Sequence, residues 1–307
     1  MYRSLLVPLD GSTFAEQALP LAGAILRRGK ASLTLVRVHR PLPSGEIAIT
    51  GLWDGDQRES EGAYLARVAE RMSECFKAKV ATALLEAPVI GALCEYVREH
   101  SIDLVVMSTH GRTGVRRAWL GSVADGIARN VSVPVLMVRP QDETDDRDTR
   151  RLFERMLVPL DGSRLSESIV GHAVRLARVF GSEIVLLRAV EPVVAKGPGY
   201  PLSSPVPITL VDSGATEQLT GLARNYLEDT AARIRDQHGL RVSIDVRLVE
   251  HAAPAIVEAL AAHHIELVAM STHGRGASRL VVGSVADHVI RARPRAILLF
   301  RPRLAES

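Results

Sequence analysis

The sequence predicts an α/β protein of two repeated domains, each a five-stranded, mostly parallel sheet flanked by helices. Three observations carry this expectation. A glycine-bearing phrase occurs twice, as MSTHGRTGVRRAWLGSVADG at 107–126 and MSTHGRGASRLVVGSVADH at 270–288. A second phrase is also repeated, as LLVPLDGS at 5–12 and MLVPLDGS at 156–163. Finally, short apolar runs alternate with helical patterns of about ten or more residues in both halves, as in a parallel sheet joined by helical crossovers.

The run Tyr2–Leu9 reads as a central strand, apolar because helices cover both its faces. Pro8 falls near the strand end, where a missing amide is tolerated. Asp10-Gly11-Ser12 then turns the chain. Ser12 or Thr13 caps the next helix, with Glu16 three residues past Thr13 as in a capping box. This helix is expected over 13–28, with Ala15, Leu19, Ala22 and Leu26 on one face and Pro20 bending or dividing it. Ser32–His39 is the second strand. Residues 40–61 read as a long Pro/Gly/acid excursion, and helix resumes over 62–76. A strand at Val80–Leu85, a helix at Ile90–His100, a strand at Ile102–Met107, a helix at 122–130 and a strand at Val133–Val138 complete the half.

Residues 141–151 contain no apolar side chain and read as a solvated linker. The expected domains are 1–141 and 154–303, joined by residues 142–153. The second half repeats the series: strands at Arg155–Leu160, Glu183–Val190, Leu240–Val249, Ile265–Met270 and Ala296–Phe300. Its helices are expected over 166–180, 216–238, 254–263 and 284–293, with a second Pro/Gly excursion at 197–214. The fifth strands, Val133–Val138 and Ala296–Phe300, should join the halves, since an uncovered apolar edge invites pairing. The result would be an internal pseudo-dimer.

A chain of 307 residues, 47% hydrophobic and 24% charged, suits two ordinary globular domains. A net charge of +3 without an extended Lys/Arg run argues against nucleic acid as a partner. Cys75 and Cys94, outside any CxxC pattern, read as thiols of a reducing compartment. No apolar stretch approaches the ~18 residues of a membrane helix, and the chain begins directly on a strand, so a cytoplasmic location is expected.

Each glycine phrase follows an apolar strand, and its Gly-Ser pair opens a helix. Free backbone amides in such an arrangement can surround an anion. GxxxxGK[ST] is absent, and the first strand leads into Asp-Gly-Ser instead of GxGxxG, so neither a P-loop nor a dinucleotide site is expected. Ligands of a doubly wound sheet bind beyond the carboxyl ends of its strands, where strand order switches. The Asp10 turn, the His39 region and residues 110–122 would converge there.

Over nearly the whole chain these features resemble tandem domains of the universal stress protein family. An Asp-Gly-Ser end to strand one is paired with an apolar run into His-Gly-Arg and, at the right distance, Gly-Ser-Val-Ala. The resemblance implies a Rossmann-like five-stranded fold and a tendency to dimerise. In one subclass it implies ATP binding through Gly, two residues, Gly, nine residues, then Gly-Ser or Gly-Thr. In the first half Ser108 stands at the leading glycine, followed by Gly111, nine residues, and Gly121-Ser122. Asp10 matches the adenosine contact and Val38 matches the backbone position near adenine, while Arg112 either reaches a phosphate with its fork of donors or is simply solvated. In the second half the matching residues are Asp161, Val190, Ser271, Gly274 and, after only eight residues, Gly283-Ser284. Because that loop is one residue shorter, and Gly114 has no clean counterpart in it, the first half is expected to be the better ATP site.

Bland roles stand beside these. Gly111, Gly121 and Ser122 also suit a tight turn and an N-cap. Asp10 and Asp161 either cap a helix, accept from ribose hydroxyls or help hold Mg²⁺. His110 and His273, without an evident nucleophile and carboxylate, read as structural. His251, His263 and His264 lack further ligands at zinc spacing. The leading expectation is a cytoplasmic stress-response protein that binds ATP, with or without Mg²⁺, in a sensing or regulatory role with at most slow hydrolysis. A non-nucleotide scaffold acting through protein contacts and an adenine-nucleotide-processing enzyme are the alternatives. An unidentified regulatory protein is an expected partner, and further homodimerisation stays open.

Overall fold

The computed structural model describes residues 1–29, 31–41, 54–109, 120–139, 153–195, 210–272, 283–292 and 294–302. The glycine loops at 110–119 and 273–282, and the linker expected at 142–153 apart from Phe153, lie outside the described residues, and so do Gly111, Arg112 and Gly274.

The first half contributes β1 (Ser4–Pro8), β2 (Ser32–His39), β3 (Val80–Glu86), β4 (Leu104–Ser108) and β5 (Val135–Val138). Its helices are α1 (Thr13–Glu16), α2 (Leu19–Gly29), α3 (Asp54–Phe76), α4 (Val89–Glu99) and α5 (Ser122–Asn130). The second half contributes β6 (Arg155–Pro159), β7 (Glu183–Val190), a short hairpin of β8 (Val194–Ala195) and β9 (Leu210–Val211), β10 (Val242–Leu248), β11 (Leu267–Ser271) and β12 (Ala296–Phe300). Its helices are α6 (Arg164–Glu167), α7 (Val170–Phe180), α8 (Ser213–His238), α9 (Ala252–Ala262) and α10 (Ser284–Arg291).

All strands but the hairpin form one ten-stranded sheet in the order β10-β7-β6-β11-β12-β5-β4-β1-β2-β3. Within each half the pairs are parallel, and order reverses between the first strand and the fourth, β1 beside β4 and β6 beside β11. The halves join through β5 and β12, which pair antiparallel as the uncovered apolar edges suggested, with Leu136 opposite Leu298 and Met137 opposite Ile297.

Alternation along the strands feeds two cores. Leu5, Val7, Leu104, Val106, Leu136, Met156, Val158 and Leu298 face one way, beneath α2, α3, α7 and α8. Leu6, Val105, Met107, Met137, Leu157, Val268 and Leu299 face the other, beneath α4, α5, α9 and α10. Burial on both faces explains the near-continuous apolar runs, with all five residues of β4 and of β11 buried.

Pro20 divides the first helix as expected, at Gln17–Ala18 between α1 and α2. The cap is Ser12, not Thr13: its hydroxyl accepts from the Ala15 amide at 3.1 Å. The single helix expected over 166–180 is also divided, without a proline. Hydroxyls compete with the helical ladder there, Ser166 donating to the Ser163 carbonyl at 2.9 Å and Ser168 to that of Leu165 at 2.6 Å. The largest correction is α3, which begins at Asp54 and not at residue 62. Its opening turns, with two glycines and few apolar side chains, show no helical periodicity. They are held by charge: Asp54 and Asp56 stand at the positive helix end, and Arg58 bridges Asp54 at 2.9 Å and Glu86 at 2.6 Å.

Candidate functional site

Beyond the end of β1 the chain must turn sharply, and Gly11 does so at φ +86°, a conformation costly for any residue with a Cβ. Asp10 braces that turn. Its Oδ1 accepts from the Ser12 amide at 2.9 Å and from the Ser12 hydroxyl at 2.6 Å, while Ser12 caps α1. Asp10 is therefore an Asx-turn residue that orients the cap; it is not the cap itself.

At the end of β4, Ser108 is buried and the Thr109 amide extends the ladder to Val138 O at 2.9 Å. The Gly121 amide returns to Thr109 O at 2.8 Å, closing the neck of the glycine loop. Gly121 is then the N-cap of α5, with extended backbone and no side chain to occupy the first amides of the helix.

These ends enclose a cavity of about 340 Å³ at the β1/β4 switch. Asp10, Val38, Ser108, Gly121 and Ser122 line it together. Its apolar wall includes Val36, Val89, Leu93 and Met107. Its polar wall includes Arg37, Arg40, Gln57 and Glu61, none of which the motifs indicated.

Arg37 and Glu61 of that wall belong to a linked set of charges that continues behind it. Arg37 donates to Glu61 Oε1 at 2.9 Å with both side chains nearly buried, and its guanidinium lies over the Tyr64 ring at 5.4 Å. The fully buried His39 ring contacts Glu61 Oε2 and Asp54 Oδ1, each at 2.9 Å. Tyr64 donates to Glu16 at 2.9 Å, and burial followed by that carboxylate raises its pKa. Burial pushes the Glu61 carboxyl upward, but hydrogen bonds from His39 and Arg37 prevail and hold it below the usual range. Arg58 and then His39 lower Asp54 in the same way.

The second half repeats the frame but not this wall. Gly162 turns at φ +79°, Asp161 Oδ1 accepts from the Ser163 amide at 2.9 Å, and the Gly283 amide meets Thr272 O at 2.8 Å before α10 opens at Ser284. Ser271 is committed, its hydroxyl donating to Leu165 O at 2.9 Å. Strand register corrects one expected pairing. Ser4 opposes Ser32 and Arg155 opposes Glu183, so the counterpart of Val38 is Ala189, whereas Val190 corresponds to His39. Val38 and Val190 are thus one residue out of register with each other. Carried on through the helices, with Tyr226 beneath Arg188 as Tyr64 is beneath Arg37, this correspondence sets Thr216 at Asp54 and Ala223 at Glu61. Where Arg37 has Glu61, Arg188 lies against the Gly162 turn, and a Cβ there would fall 2.8 Å from its Nη1.

Comparison with known proteins agrees with this architecture. The family model described as "Universal stress protein family" matches residues 1–139 and again 152–301. A universal stress protein of Mycolicibacterium smegmatis is 26% identical over 309 aligned positions, covering 97% of each chain. One from Methanocaldococcus jannaschii is 29% identical over 141, covering 45% of this chain and 83% of its own. Among solved structures, a universal stress protein from Archaeoglobus fulgidus superposes with a TM-score of 0.69 at 19% identity, covering 98% of both chains, and so shares the fold. With two family matches spanning both halves of a doubly wound sheet, the chain belongs to the universal stress protein family, as a tandem member.

Proposed function

We propose that the first half binds an adenine nucleotide, ATP with or without Mg²⁺, and that the chain uses this binding in a sensing or regulatory role with at most slow hydrolysis. One observation carries the reading: five of the residues matched to the ATP-binding pattern, drawn from the turn after β1, from β2 and β4, and from the start of α5, line one cavity at the strand-order switch. A volume near 340 Å³ lies within the usual range of small-ligand sites. The apolar wall of Val36, Val89, Leu93 and Met107 suits a flat base. The first turn of α5 offers amides without intrahelical partners to a phosphate. The braced Asp10 carboxylate suits a ribose hydroxyl. Mg²⁺, when bound, would offset phosphate charge, and Asp10 is the matched residue able to approach it. The second half, with Arg188 against its turn and a shorter loop, fits one site per chain better than two.

Calorimetry of the intact chain with ATP, with and without Mg²⁺, should give a saturable heat at one nucleotide per chain. Asp10→Ala removes one charge-assisted hydrogen bond and should weaken binding about tenfold. Absence of heat, together with absence of nucleotide released from the denatured protein, would overturn the reading in favour of a scaffold acting through protein contacts.

A further inference from the structure

His39 ends β2, directly after the cavity-lining Val38, and its ring is fully buried. Nδ1 stands 2.9 Å from Glu61 and Nε2 stands 2.9 Å from Asp54. Carboxylates only accept hydrogen bonds, and a neutral imidazole has a single N–H. Two such contacts on one ring are both satisfied only when the ring carries two protons.

The surrounding charges fit that state. Arg37 and Arg40 come from β2 and the residue after it, and Asp54, Arg58 and Glu61 come from α3. Glu86 comes from β3, opposite His39 in register, and Asp10 comes from the turn after β1. From α4 the cavity receives only Val89 and Leu93. In the bonded set, Arg37, Arg58 and a protonated His39 balance Asp54, Glu61 and Glu86. Loss of the ring proton sets a lone pair against a carboxylate oxygen and unties one of the two. Burial alone opposes charge on the ring, but hydrogen bonds to Glu61 and Asp54 outweigh it and raise its pKa above the ordinary value. A raised folded-state pKa gives stabilisation that is complete below the ordinary value and is lost as pH rises through the raised one.

This set is not a requirement of the fold. The second half builds the same strand and helix with Val190, Thr216 and Ala223 at the positions of His39, Asp54 and Glu61. Buried ionic clusters are weak contributors to stability compared with apolar packing. Its presence only beside the first cavity points to work at that site.

We infer that His39 is a positioning residue for the nucleotide cavity: its second proton holds Glu61 and the start of α3 against β2, and its loss weakens nucleotide binding. The inference rests on the ATP reading above. Removing a positive charge near an anionic ligand acts in the same direction as loosening the wall.

The test uses the full chain. His39 is followed by NMR of histidine Cε1–H through pH 6–9, amide hydrogen exchange is read over residues 54–61, and ATP affinity is measured by calorimetry at each pH. The reference is the triple variant His39→Val, Asp54→Thr, Glu61→Ala, which installs the second half's residues and retains the nucleotide's own titration. His39→Gln supplies a ring-sized polar group with no proton to lose. Wild-type affinity should fall about tenfold more than the reference across the His39 midpoint, with exchange at 54–61 rising at the same midpoint. His39→Gln should bind weakly, with a profile parallel to the reference. ATP binding with parallel profiles in wild type and reference would overturn the coupling alone. No ATP heat at any pH would overturn the nucleotide reading and the coupling with it.

Discussion

On α7, His172 packs its ring against Phe300 at 4.4 Å between centroids and stacks beside Tyr2 of the first half at 6.4 Å. Its Nδ1 is buried without a hydrogen-bond partner among the described residues. Burial, and then the nearby Arg175 charge, push its pKa down to about 4. The sign follows from linkage: an unfolded histidine takes up its proton near pH ~6.5, while the folded one resists until about 4, so stability is lost as pH falls through that interval. The full loss would be roughly 3 kcal/mol. Leu21 occupies the corresponding place on α2, buried, which suggests the control. His172→Leu should flatten this part of the acid limb in urea unfolding at pH 4.5 while changing little at pH 7.5. An acid limb equal to wild type would show that His172 does not titrate between the halves.

At the scale of elements, packing of α2 on α3 turns on one missing side chain. A Cβ at Gly23 would fall 2.1 Å from the Phe76 ring. Gly23→Ala should therefore cost about 1–3 kcal/mol by overpacking despite alanine's better helix propensity. Phe76→Leu should recover part of the loss in a double-mutant cycle; additive effects would place the strain elsewhere. Periodicity revealed such elements where burial writes a pattern. β1, β4 and β11 are apolar because both faces are covered, and they were legible for that reason. The start of α3 was not, because ion pairs with groups distant in sequence hold it. The same cause hid Gln57 and Glu61 on the cavity wall and Asp54 beside them. Asp10, Ser108 and Gly121 stand in repeated phrases, whereas His39, Asp54 and Glu61 meet across 15 and 22 residues, through turns that carry no apolar repeat. Arg37 and His39, buried at the end of β2, were the available signal, since a buried charge at a strand end needs a partner.

For the whole molecule, the decisive contact is the junction of β5 and β12. Register makes Leu136 and Leu298 counterparts: each stands on the fifth strand of its half, opposite Val106 in one and Ala269 in the other. They also face each other across the junction, so an approximate two-fold axis passes through that pair. A contact built from equivalent residues on both sides is isologous and therefore self-complementary. Both leucines are fully buried, which means that a separated half would expose an apolar strand edge. Residues 1–141 produced alone should consequently form a homodimer through β5 against β5, with Leu136 of each copy at the axis. Sedimentation should report twice the mass of the fragment. Leu136→Asp buries an unpaired charge at the axis and should return the fragment to a monomer or unfold it. Circular dichroism separates those two results. A folded wild-type fragment that stays monomeric at tens of micromolar would mean that the junction depends on the covalent tether, and that the second half is held beside the first by the chain more than by the strand pair.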